Sequence, residues 1–197
     1  FRLSLMHALQ QHSSVHSVQC QLTIYRSRAG ISIDMAKKTD KTNAARLLDK
    51  AGIAYNLIPY EFDPDDLAAQ HVADSLGQDI SRVFKTLVLH GDKTGYIVCV
   101  VPGNCEVDLK SLAKVSSNKK VEMIPMKDLL QVTGYIRGGC SPIGMKKRFS
   151  TFFHSTVTDY STIYISAGVR GLQIEIAPDE LIAFVHGTVA DVAVCED

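Results

Sequence analysis

From Thr42 onward the apolar positions follow regular periods. Ala44, Ala45, Leu47, Leu48 and Ala51 fall at helical spacing, and Gly52 closes the run. Ala54 to Tyr60 predicts a strand. Asp65 or Asp66 is placed to cap a second helix that ends at Gly77. The clearest signal is a hairpin: the apolar runs Val83–Leu89 and Tyr96–Val101 flank the turn His90-Gly91-Asp92-Lys93-Thr94-Gly95. Val107–Val115 and Met126–Val132 read as helices, with a short strand at Val121–Ile124 between them and Gly134 stopping the second.

Residues 137–144, Arg-Gly-Gly-Cys-Ser-Pro-Ile-Gly, predict a loop, because such glycines and a proline spoil either regular element. Beyond it come strands at 151–154, 162–166, 172–177 and 187–194, and a helix at 178–184. Strands and helices intermingle without a strict βαβ rhythm. The pattern therefore predicts one mixed α/β domain over residues 35–197, not a Rossmann fold.

Residues 1–34 differ in kind. They are rich in Ser, His and Gln and lack a clear period, and Met35-Ala36-Lys37-Lys38-Thr39 resembles a natural start. The segment reads as a non-native or disordered leader, translated upstream sequence or a tag. Its low-acid, Arg/Ser composition also suits a transit peptide.

Composition narrows the class. Hydrophobic residues make up 46% of the 197 and charged residues 21%, a globular balance. No run approaches the ~18 apolar residues of a membrane helix. The formal net charge is zero. The leader holds Arg2, Arg26 and Arg28 against Asp34 alone, so the remainder is slightly acidic and any RNA contact there must rest on a local patch. The five cysteines are odd in number and form no C-x-x-C pair. This argues against a disulfide scaffold or a zinc site, and for reduced thiols in a cytoplasm.

Few residues invite chemistry. In a strand, Lys85 shares one face with Val83, Leu87 and Leu89, while Phe84, Thr86 and Val88 share the other. Both faces are mostly apolar, as in a strand covered on both sides, and a lysine is out of place there. It either snorkels to water from the strand end or lines a cleft, where its ammonium would grip a carbonyl or phosphate. Gly138-Gly139-Cys140-Ser141-Pro142-Ile143-Gly144 is either a plain connection or a loop whose N–H groups polarise a carbonyl oxygen. Cys140 could be a nucleophile with His154 or His186 as base, although no spacing signature supports the pairing. A small buried hydrophobe is the commoner role of a free cysteine. Lys146, Lys147 and Arg148 directly follow the loop and suit phosphate contacts or a solvated face. A second group, Lys110, Lys114, Lys119 and Lys120, reads as a solvated face. Tyr60 reads as a strand-end aromatic and Ser166 as a turn residue.

Five segments, in order, resemble one family. They are Arg82-Val83-Phe84-Lys85-Thr86-Leu87, Lys119-Lys120-Val121-Glu122-Met123, Thr133-Gly134-Tyr135-Ile136-Arg137-Gly138-Gly139, Ser141-Pro142-Ile143-Gly144 and Gly171-Leu172-Gln173-Ile174-Glu175-Ile176. Together they are similar to the YbaK/EbsC branch of the prolyl-tRNA editing family, from about Ala44 to Val194. The resemblance implies a single mixed-sheet domain with surrounding helices. It also implies a cytoplasmic trans-editing deacylase acting on mischarged Cys-tRNA(Pro), or on Cys-tRNA(Cys), alongside prolyl-tRNA synthetase.

By the same resemblance Lys85 orients the substrate, the loop from Gly138 and Gly139 to Pro142 holds the aminoacyl ester, and Tyr60, Ser141 and Ser166 line the pocket. No cofactor and no metal are implied, since the substrate's own thiol attacks its ester. Two features depart from some members: Gln173 stands where they carry Asp, and no aromatic residue stands near Ala68. An alanine-specific deacylase and a non-catalytic tRNA- or synthetase-binding module are the alternatives. The stretch Gly-Gly-Cys-Ser-Pro-Ile-Gly-Met-Lys-Lys favours the cysteine branch.

Overall fold

The structure, a computed structural model, describes residues 41–195 together with the backbone of Tyr25–Ser27 (β1) and Gly30–Ser32 (β2). Those two short strands pair antiparallel, Tyr25 opposite Ser32 and Ser27 opposite Gly30. The rest of the leader expected over residues 1–34 lies outside the described residues. The other elements all belong to the unit Lys41–Asp197.

The first helix, α1 (Asn43–Ala51), starts where the Thr42 side chain accepts the Ala45 N–H at 3.2 Å and stops at Gly52, whose φ is 72°. A strand follows, β3 (Tyr55–Pro59). The second helix, α2 (Ala69–Leu76), corrects the expected cap: Ala68 occupies the capping position and provides no side-chain bond. Asp63 instead accepts from Asp65 N–H at 2.8 Å, and Asp66 from Ala68 N–H at 3.1 Å. These short side chains bond to their own turns, which delays the helix by about one turn.

The hairpin is as predicted. β4 (Phe84–Gly91) and β5 (Gly95–Pro102) stay in register from Phe84 opposite Pro102 to Gly91 opposite Gly95. Next comes an unpredicted strand, β6 (Cys105–Val107), so that α3 (Leu109–Val115) begins only after Asp108 caps it. β7 (Val121–Met123) precedes a 3-10 turn at Met126–Asp128 and α4 (Leu129–Thr133). The chain continues through β8 (Ser150–His154), β9 (Ile163–Ser166), β10 (Leu172–Ile176) and α5 (Pro178–Val185). The single strand expected at 187–194 is two strands, β11 (Thr188–Ala190) and β12 (Ala193–Cys195). They join different partners: β11 runs parallel to β8 and β12 antiparallel to β6.

The main sheet has the order β11-β8-β5-β4-β7 and mixes parallel with antiparallel pairs. A second, antiparallel sheet has the order β3-β10-β9. A parallel bridge between Val83 and Tyr164 links the two. The two-residue strand period sorts the core of the main sheet. Val98, Val100 and Phe153 pack with α1, α5 and the second sheet. Ile97, Cys99, Val101 and Phe152 face the other way, onto Leu112 and Ala113 of α3.

The cysteine expectation is corrected as well. Cys105 and Cys195 stand opposite each other in the β6–β12 pair and are joined by a disulfide, while Cys99 and Cys140 are free. Sequence spacing cannot show this pairing, because strand register rather than proximity along the chain makes the two meet. Their separation is 90 residues, and in a chain-entropy account a loop of that length is worth about 4.6 kcal/mol. Cys195→Ser is therefore expected to lower the melting temperature by about 10 °C in scanning calorimetry. Equal melting temperatures would show that the bridge adds nothing to folding.

Candidate functional site

The site arises from an interruption in strand pairing. β7 is in register with β4 only at Leu89, His90 and Gly91, and the Val83–Tyr164 bridge holds the opposite end. Between them the edge of β4 from Lys85 to Val88 faces a cleft of about 710 Å³. That volume suits a ligand of drug size rather than an amino acid alone. The Ile124 N–H donates to the Val88 carbonyl at 3.2 Å and closes one wall. Other walls are the residues around the start of α2, then Gly103, Asn104 and Glu106, and Arg137, Gly138 and Cys140 of the glycine loop. Most of the lining is apolar, including Leu67, Ile80, Leu87, Met123 and Leu129.

Close backbone approach shapes two of these walls. A Cβ on Gly103 would stand 2.7 Å from Ile80 Cγ1 and 2.8 Å from Ala69 Cβ, so only glycine lets this segment pack on α2. Gly138 has φ of 79°, and a Cβ there would meet Leu67 Cδ2 at 3.1 Å. The loop is tied down from behind by Arg170 Nε, which donates to the Arg137 carbonyl at 2.9 Å, and by the Tyr135 hydroxyl, which donates to the Ile143 carbonyl.

Lys85 is the cleft's fixed cation. Its Nζ donates to the Gly103 carbonyl at 3.2 Å and to Glu106 Oε1 at 2.9 Å, and its side chain is 25% exposed. Of the other sequence-derived candidates, Gly138 lines the same cleft. Gly139 is buried, is not among the lining residues, and donates to the Ile136 carbonyl. Ser141 is fully buried and accepts the Ile143 N–H at 3.3 Å, and Ser166 accepts the Gly168 N–H at 3.2 Å. Tyr60 is half-buried and donates its backbone N–H to Gly171. Pro142 lines a separate depression with Lys147 and Arg148. Lys146 Nζ donates to the Leu130 and Gln131 carbonyls, completing the end of α4. Gln173, opposite Ser166 in the second sheet, is buried with its Oε1 unpartnered.

Cys140 lines the cleft, and neither His154 nor His186, the bases considered for it, is among the lining residues. His154 Nδ1 accepts the Val192 N–H at 3.3 Å and its Nε2 lies 3.9 Å from Cys195 Sγ. His186 serves as the left-handed cap of α5. Burial pushes the Cys140 thiol up to about 12, so it stays protonated at neutral pH. Cys140→Ala is accordingly expected to retain most activity, with a pH–rate profile that overlays the wild type. A loss of ~1,000-fold in a folded variant would establish a protein nucleophile.

Sequence reasoning missed Glu106 and Arg137 as cleft residues. The signal available for Glu106 was its place in an alternating trio, between the cysteine and the valine of β6; Arg137 was visible only as the first residue of the glycine loop.

A family model described as the aminoacyl-tRNA editing domain matches residues 63–184. A protein of Enterococcus faecalis (strain ATCC 700802 / V583) carrying the name of a Cys-tRNA(Pro)/Cys-tRNA(Cys) deacylase, EbsC, is 51% identical over 164 residues, covering 82% of this chain and 100% of its own. Among solved structures, one described as a trans-editing enzyme for prolyl tRNA synthetase superposes with a TM-score of 0.67 at 20% identity, covering 79% of this chain and 99% of its own. Hypothetical protein APE2540 superposes with a TM-score of 0.70 at 21% identity, covering 76% and 97%. At such identities the two structures establish the shared fold.

Proposed function

The chain belongs to the aminoacyl-tRNA editing domain family, and from that membership we propose that it deacylates mischarged Cys-tRNA(Pro), or Cys-tRNA(Cys). The observation that carries the reading is Lys85, a cation held on the wall of an apolar cleft in which burial keeps the Cys140 thiol protonated. Such a site is suited to hold and polarise an ester rather than attack it. In the mechanism that the family resemblance implies, the attacking group is the substrate's own thiol. Its sulfur bonds to the ester carbonyl carbon, the C–O bond to the terminal ribose breaks, and the ribose hydroxyl leaves with the proton. Water subsequently opens the cyclic thioester to cysteine.

In this proposal the protein meets its substrate beside prolyl-tRNA synthetase, because a chain of zero formal charge has little long-range pull on RNA. Local contacts remain. Lys147 and Arg148 are exposed and are assigned to tRNA phosphates; Lys146 is partly committed to α4. Neutralising Lys147 and Arg148 is expected to weaken tRNA binding and to flatten its salt slope by about 2 logarithmic units per unit of log salt. An unchanged slope would return both to a solvated face.

The reading is tested with purified protein on a panel of Cys-tRNA(Pro), Cys-tRNA(Cys) and Ala-tRNA(Pro). Fast release of cysteine from the first two supports it. Preference for alanine makes the protein an alanyl-tRNA deacylase, and no turnover with any of the three makes it a binding module.

A further inference from the structure

Resting on the deacylase reading above, we propose that Glu106 is the positioning residue for Lys85. A lysine ammonium sits on a flexible four-carbon stem, so a cation meant to meet one substrate oxygen needs anchoring. Lys85 has two anchors: the Gly103 carbonyl at 3.2 Å and Glu106 Oε1 at 2.9 Å. An ammonium carries three N–H bonds. Two are spent on the anchors, and the third is left for the cleft that Lys85 and Glu106 both line.

The backbone carrying the carboxylate is itself held. β6 is paired with β12 and cross-linked to it through Cys105 and Cys195. Strand alternation sends Cys105 into the core, where it is 0% exposed, and sends Glu106 to the opposite face, at the cleft. The Glu106 side chain is 81% exposed. A pair this wet adds little to folding. What it supplies is direction: the anchors set where Nζ sits when the ester arrives.

The test pairs kinetics with crystallography. Glu106→Ala is expected to lower kcat in cysteinyl-tRNA release roughly 3- to 5-fold, the scale on which an exposed ion pair biases a side chain, with KM within about twofold. Glu106→Gln keeps an acceptor oxygen and should recover part of the loss. Lys85→Ala with Glu106→Ala should be no slower than Lys85→Ala alone, because one side chain acts through the other. A Glu106→Ala kcat within about twofold of wild type, or losses that multiply in the double variant, would overturn the proposal. The crystal structure of Glu106→Ala needs no turnover. Displacement of Nζ from the Gly103 carbonyl supports positioning, and Nζ unmoved refutes it. Absence of activity in the wild-type protein would instead strike the deacylase reading and leave this structural arm decisive for Glu106.

Discussion

Lys85→Ala is expected to slow single-turnover release of cysteine from tRNA at least ~100-fold, the scale of removing one positioned electrostatic contact from a transition state. The fold should survive. Lys85 is bonded to a backbone carbonyl and to a carboxylate that is 81% exposed, so the substitution leaves Glu106 in water rather than stranding a buried charge. The melting temperature should therefore stay within a few degrees of wild type. A rate within tenfold of wild type, in a folded variant, would remove Lys85 from the chemistry.

A comparably large effect is expected from the substrate side. Serine differs from cysteine by oxygen for sulfur and should enter the same cleft. Its hydroxyl is far less ionised and less nucleophilic than a thiol with pKa ~8.5. If the substrate supplies the nucleophile, seryl-tRNA should be cleaved at least ~100-fold more slowly than cysteinyl-tRNA, whatever its binding. The protein's own thiol does not blur the comparison, since burial keeps Cys140 protonated. Comparable single-turnover rates for the two substrates would assign the attack to water, and thiol assistance would be abandoned.

Local pattern carried a large part of the fold. The β4–β5 hairpin was legible because two apolar runs flank a turn of polar and glycine residues, and the helix of Thr42 to Gly52 because cap, stripe and stop all lie within one segment. The start of α2 was not, because three aspartates near one another offer competing caps and only the folded chain shows which turns they stabilise. The same limit governed the site. Lys85 stood out as a cation on an otherwise apolar strand, and Gly138 as part of a loop no regular element tolerates.

What the sequence determined by itself was the alternation of faces in β4 and β5, the loop at 137–144 and the oddity of Lys85, all consequences of short-range steric and hydrophobic rules. Tertiary structure alone decided which strands became neighbours. The split of 187–194 into β11 and β12, the meeting of Cys105 with Cys195 across 90 residues, and the contact of Glu106 with Lys85 each depend on register between segments distant in the chain. Such pairings are set by which edges and faces remain to be covered once the core has formed, a property of the assembled sheets that no single window of sequence contains.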